Sequence, residues 1–254
     1  MDVLQQFLKT FFDWQAMGQV VPQMLTVGLP NTLILAASSA VLGCFFGLIL
    51  SVMGIARNSA LRWISRIYTD IFRGLPAILV IVIIGIGLGP ILRQATGITN
   101  PFPLAIFALT LMAAAYIGEI FRSGIQSVDR GQLEAARALG FSYGSAMLLV
   151  VIPQGIRRVL PALVNQLIAL IKDSSLVYLL GVTATQREIY RVANDSAANS
   201  GNMSPLIAAG VLYLILTIPL THLVNYMDKR MREGKAQKIE PDEAAALVGK
   251  GGQA

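Results

Sequence analysis

An all-α membrane protein with five transmembrane helices is what the sequence predicts, and three observations predict it. Of the 254 residues, 55% are hydrophobic and only 13% charged, against about 25% charged in soluble domains, and the mean hydropathy is +0.64. The apolar residues fall into five runs long enough to cross a bilayer, for which ~20 residues suffice. The basic residues, which give a formal net charge of +6, flank those runs. They read as topology signals rather than as a nucleic-acid surface.

The first 22 residues place Val3, Leu4, Phe7, Leu8, Phe11 and Phe12 on one helical face, with Gln5, Gln6, Lys9 and Asp13 opposite. This pattern predicts an uncleaved amphipathic helix lying in the interface and anchored by Trp14. The membrane domain follows over residues 23–228. Its first span is expected at 27–55, with Gly43, Gly47 and Gly54 permitting close helix contact. The second is expected at 68–88, carrying Asp70 and Arg73 in its first turns and Pro76 just beyond. The third, 103–121, starts after the turn-forming run at residues 99–103. The fourth, 159–182, is interrupted by Asn165, Gln166, Lys172, Asp173, Ser174 and Ser175. Residues 183–204 read as a polar Asn/Ser-rich loop, and a fifth span is expected at 205–224 with a kink at Pro219. The polar tail, 229–254, reads as disordered.

Between the third and fourth spans lies a stretch unlike membrane. Asp129-Arg130-Gly131-Gln132 has the form of a capping box, in which Asp accepts an orphan N–H and Gln reaches back. Good helix formers follow up to Leu139, with Glu134 and Arg137 spaced to pair. Gly140 then supplies the left-handed stop. Ala135 and Ala136 leave a shallow face beside Leu133 and Leu139, the make-up of a docking helix.

Glu134-Ala135-Ala136, Gly140 four residues after Ala136, and Val150-Val151-Ile152-Pro153 resemble the EAA signature of bacterial ABC importer permeases, the last a conservative departure from Ile-x-Leu-Pro. Gly28-x-x-Asn31-Thr32-Leu33, Phe72-Arg73-Gly74-x-Pro76, Ala115-Tyr116-Ile117-x-Glu119-Ile120-Phe121-Arg122 and Lys172-Asp173-Ser174-Ser175-Leu176 resemble the polar amino-acid branch of that family. The resemblance spans residues 28 to 226. It implies a permease subunit for a polar amino acid that pairs with a second permease subunit, the same chain or a related one, and receives its substrate from an external solute-binding protein. Two ATPase subunits would bind all the ATP and Mg, each receiving the EAA helix through Gln132, Leu133, Glu134, Ala135, Ala136, Arg137, Leu139 and Gly140.

The residues exclude other chemistry. No phosphate-cradling Gly-x-x-x-x-Gly-Lys-Ser/Thr occurs. His222 has neither Cys nor a second His nearby, which predicts no metal site, and Cys44 sits in an apolar run as a packing residue. Charges inside spans are costly and face an interior or a watery path. In the fourth span Asn165 and Lys172 share one face and Gln166 and Asp173 the adjacent one, a polar stripe that lines a solute path or binds a neighbouring helix. With Ser174 and Ser175 it offers both signs of charge to a zwitterion. Asp70 with Arg73 and Glu119 with Arg122 are i,i+3 pairs with a gating or structural role. A receptor or scaffold that binds a partner without transport, and an intramembrane enzyme using Lys172 and Asp173, are the alternatives from other classes.

Orientation follows from charge. Four arginines after the first span, five around the EAA stretch and six basic residues after the fifth all fall on one side. The other side holds Lys9, Arg93, Arg187 and Arg191. The bias predicts an inner-membrane protein with the EAA helix and C-terminus in the cytoplasm and the N-terminus outside.

Overall fold

The computed structural model describes residues 2–97 and 99–236, all helices and turns. Helix α1 (Val3–Phe11) is short, and its apolar residues are largely exposed. Asp13 caps the next helix, α2 (Trp14–Gln23), by accepting from the Gln15 and Ala16 amides. From Trp14 the chain stays helical through a π turn, Met24–Gly28, into α3 (Leu29–Ile55). The first long helix therefore begins at Trp14, and its boundary with the N-terminal helix lies at Phe12–Asp13 rather than after residue 22.

Helix α4 (Ser59–Gly74) is capped by Asn58 and ends at Leu75, whose extended backbone precedes Pro76. The residue before a proline is driven out of the α region, so the chain breaks here. The second span is α5 (Ala77–Val82), a π turn at Ile83–Gly87 and α6 (Leu88–Thr96). This corrects the expected span at 68–88: Asp70 and Arg73 lie on α4, before the break. Helix α7 (Phe102–Gln126) is the most buried element and forms the centre of the bundle.

After the short α8 (Arg130–Ala138) come α9 (Tyr143–Ala146), a π turn at Met147–Val151, α10 (Ile152–Arg158) and α11 (Leu160–Asp173), continued as a 3₁₀ turn, Ser174–Leu180. The three π turns end two or three residues before Pro30, Pro90 and Pro153. Proline lacks an N–H and its ring crowds the carbonyl four residues back; widening the turn accommodates that clash without ending the helix.

Residues 183–204 are not a loop throughout. Helix α12 (Ile189–Ser200) occupies most of them and buries Ile189, Val192, Ala193 and Ala197. Helix α13 (Ser204–Ala236) runs through Pro219 and past the expected end of the fifth span. The expected tail thus begins as helix at 229–236, and its remainder lies outside the described residues. Five helices among the described residues are long and apolar enough to cross a bilayer: the first, ending at Ile55, then Ala77–Thr96, Phe102–Gln126, Leu160–Leu180 and Ser204–Met231.

The core forms where α3 crosses α7. A methyl group at Gly47 would stand 2.9 Å from the Gly118 nitrogen, and one at Gly43 2.7 Å from the Ala113 Cβ. Small residues let the two backbones approach closely, which maximises dispersion contact where no water can drive association. Leu35, Ile81, Leu109, Ile117, Leu170 and Val177 pack around this crossing.

Candidate functional site

Two features stand out: a cavity beside α11, and the exposed helix α8. The cavity, about 340 Å3, opens at the α4–α5 break. Leu75 and Ala77 line it from the break, Met112 and Tyr116 from the middle of α7, and Gln166 and Asp173 from α11. Because α11 is regular to Asp173, residues 166 and 173 stack two turns apart on one face. The cavity thus presents a carboxylate, an amide and a phenol among apolar walls, the composition expected of a small-molecule site.

The predicted stripe divides here. Asn165 and Lys172 are exposed on a separate face of α11 and do not line this cavity. The Ser174 and Ser175 hydroxyls donate to the Ile171 and Lys172 carbonyls. They are committed to the helix end and offer a solute little.

Arg122 clasps Glu119 through two hydrogen bonds of 2.6 and 2.9 Å. Arg73 turns toward the same carboxylate at 3.8 Å and lies over the Tyr116 ring. It makes no ion pair with Asp70 among the described residues, so the expected Asp70–Arg73 pair is replaced by a triad that ties α4 to α7. Asp70, Arg73, Glu119 and Arg122 line a second polar cavity of about 330 Å3. Tyr68 donates to the Leu111 carbonyl and Ser65 to that of Leu50, fixing α4 against both long helices.

Helix α8 ends as the sequence requires. Gly140 has φ +91, its N–H donates to the Arg137 carbonyl, and the Phe141 N–H reaches Ala136, the paired bonds of a Schellman stop. Its start differs from the expected capping box. Asp129 accepts from the Gly131 amide, while the Gln132 side chain accepts from Gln154 instead of reaching back. Among the described residues Glu134 and Arg137 form no ion pair with each other. Ala136 is buried and Leu133 packs inward with Ile125, Val128 and Val151, so neither belongs to the outer face. At 100° per residue, the face turned away from the bundle is Gly131, Glu134, Ala135 and Ala138, with Leu139 80% exposed beside it.

The opposite end of the molecule holds a cluster around Glu188, a residue to which the sequence alone assigns no role. Glu188 is fully buried and accepts from the Tyr190 and Arg191 amides at 2.6 Å and from the Tyr213 hydroxyl at 3.0 Å. Burial pushes its carboxyl up to about 7, against the lowering effect of those donors and of Arg191. The Ile189 N–H donates to the buried Thr32 hydroxyl, and the Asn31 amide to the carbonyls of Thr185 and Arg187. A methyl at Gly28 would stand 3.0 Å from the Ile189 Cα. The run Gly28, Asn31, Thr32 is therefore a clasp on the start of α12. Arg187 and Arg191 both pair with Asp195, at 3.1 and 2.9 Å. The apolar spacing of Ile189, Val192, Ala193 and Ala197 was the available signal for this helix.

With this geometry in view, the likeness to known proteins is specific. Residues 39–233 match the family described as binding-protein-dependent transport system inner membrane component. The arginine transport system permease protein ArtQ of Bacillus subtilis (strain 168) is 36% identical over 220 residues, covering 87% of this chain and 97% of that protein. The glutamate/aspartate import permease protein GltK of Escherichia coli O157:H7 is 32% identical, covering 86% and 98%. Among solved structures, an amino acid ABC transporter with histidines aligns with a TM-score of 0.72 at 30% identity, over 86% of this chain and 98% of that one. The inward-facing MetNI methionine ABC transporter, at 21% identity and a TM-score of 0.66 over 85% and 97%, shares the fold.

Proposed function

The chain belongs to the family of binding-protein-dependent transport system inner membrane components, and from that membership we propose that it is the permease subunit of an ATP-driven importer of a polar amino acid. The observation that carries the substrate class is the cavity of about 340 Å3 in which Asp173, Gln166 and Tyr116 converge at the middle of α7. A carboxylate held among apolar walls attracts an ammonium, and the amide and phenol supply hydrogen bonds to the rest of a small polar solute. The arginine and glutamate/aspartate permeases that the chain resembles support the same class.

In this reading a second permease subunit faces the exposed Asn165–Lys172 row, so that Lys172 serves the solute carboxylate or the subunit contact from across the seam. Two ATPase subunits bind ATP and Mg and seat α8 by its outer face of Glu134, Ala135 and Ala138, with Leu139 as anchor. An external solute-binding protein delivers the amino acid at the α12 end. In the same reading α8 and the C-terminal end of α13 lie in the cytoplasm and α1 in the outer interface, which the distribution of basic residues supports. Closure of the ATPases moves α8 as a lever. Gln132–Gln154 and the Arg158 bond to the Ser127 carbonyl pass that movement to α7 and α10. The cavity then opens to each side in turn.

The test is reconstitution of this chain with its ATPase, permease and binding-protein partners in vesicles. ATP-dependent accumulation of an amino acid is expected, and Asp173→Ala should reduce the transport rate about tenfold or more, the loss of one charge-assisted hydrogen bond, with the complex still assembled. Unchanged rates for cationic, acidic and neutral amino acids would remove Asp173 from the path.

A further inference from the structure

We propose that the cleft between α8 and the α3–α4 elbow is a binding site for an anionic phospholipid. It is the most spacious of the cavities described, about 650 Å3, well within the ~300–1,000 Å3 of sites that hold ligands. The proposal goes beyond transport and stands whether or not the cargo is an amino acid.

Three observations carry it. The first is depth. The cleft is bounded by Gly54 and Ile55, the last residues of α3, and by Ile125 and Gln126, the last of α7. Two spanning helices end there together, which is where hydrocarbon gives way to headgroups. Trp63, 68% exposed in the second turn of the adjoining α4, is the residue type enriched where helices meet the membrane interface.

The second is charge. Arg57, Arg62 and Arg130 stand around the cleft, and none has a carboxylate within ion-pair distance among the described residues. The Arg57 guanidinium lies 4.7 Å over the Tyr143 ring and Arg62 donates to the Ala56 and Arg57 carbonyls, so both are held in place while keeping their charge. The one acid in the lining, Asp129, is engaged with the Gly131 amide as the cap of α8. Three cations against one anion leave an excess suited to a phosphodiester.

The third is the floor. Ile125, Leu133, Met147 and Val151 line its interior, offering an apolar surface to the first carbons of an acyl chain. A free phosphate would leave that surface wet; a phospholipid covers it. Leu133 points into the cleft while Glu134, Ala135 and Ala138 point away from it, so a lipid and an ATPase can occupy opposite sides of α8 together. The lipid would then sit as a wedge between the docking helix and the first span.

The experiment uses the full-length chain purified in its transporter complex and stripped of lipid. Native mass spectrometry follows retention of dioleoyl-phosphatidylglycerol against dioleoyl-phosphatidylcholine, which share acyl chains. Two excess charges predict about thirtyfold tighter retention of phosphatidylglycerol. Arg57→Gln with Arg130→Gln should abolish that preference, and Arg57→Lys with Arg130→Lys should keep most of it. Equal retention of the two lipids by the unmodified chain, a measurement that needs no variant to fold, would overturn the proposal. So would a preference that survives the glutamine substitutions. Displacement of phosphatidylglycerol by millimolar inorganic phosphate would assign the arginines to a free anion instead and equally overturn it.

Discussion

At the α12 end, Gly28, Asn31 and Thr32 of the first long helix grip the backbone from Thr185 to Ile189, and the buried Glu188 carboxylate gathers two amides and the Tyr213 hydroxyl. At the α8 end, a nine-residue helix buries one alanine, half-buries one leucine and is joined to its neighbours by an exposed Gln132–Gln154 hydrogen bond. The same chain thus closes one end with its own side chains and leaves the other open. Polar groups buried without water must find partners inside the fold, whereas a helix that docks on another protein, as proposed for α8, keeps its polar face unspent. The difference separates what the permease does alone from what it leaves to its partners.

The contrast predicts unequal costs. Glu188→Ala strands the Tyr190 and Arg191 amides and the Tyr213 hydroxyl, each at roughly 1–3 kcal/mol, so a loss of about 3 kcal/mol or more is expected in thermal unfolding of the solubilised chain. Gln132→Ala at the other end should cost under about 1 kcal/mol, since its partner returns to water. Similar costs for the two would erase the comparison.

A smaller effect sharpens it. Burial raises the Glu188 carboxyl from its ordinary 4.5 to about 7 in the folded chain, so the folded state binds the proton more tightly than the unfolded one. Its contribution is fully present below about pH 4.5 and is lost as pH rises through about 7. Stability should therefore be greater at pH 5.5 than at pH 8 by about 2 kcal/mol, and Glu188→Gln should flatten the difference. A pH response unchanged in that variant would place its origin in other groups.

Much of this molecule is legible in its residues because lipid leaves few choices: a long apolar run must be a helix. The five spans and the Gly140 stop follow from that rule and from the left-handed preference of glycine. Two departures share a cause, the weighing of composition over backbone rules. The second span reads as continuous through Leu75–Pro76 because its residues are apolar, although the residue before a proline resists the helix. Residues 183–204 read as loop because they are polar, although Ile189, Val192, Ala193 and Ala197 keep helical spacing. The division of the 165–173 stripe was out of reach, because which row faces a cavity depends on the α4–α5 break and on Tyr116, contacts between segments remote in sequence. Glu188 was equally hidden, since a lone Glu in a polar stretch gives no sign that Thr32 and Tyr213 close over it.

Two substitutions at the α8 end should cost coupling more than they cost the fold. Gly140→Pro removes the N–H that meets the Arg137 carbonyl and forces φ from +91 toward −65. In an exposed turn this should cost about 1–3 kcal/mol. Glu134→Lys changes an exposed side chain that has no ion pair among the described residues and should stay within about 0.5 kcal/mol. If α8 is the lever proposed above, both variants should insert and assemble yet hydrolyse ATP without accumulating solute, because the first would change the angle at which the lever leaves its socket and the second would reverse the charge the socket meets. For Glu134→Lys, unfolding and uptake measured on one preparation separate the two roles. Unchanged uptake would mean that the open face of α8 carries no force. Lost uptake with a large loss of stability would mean that α8 is held by the chain itself, as α12 is.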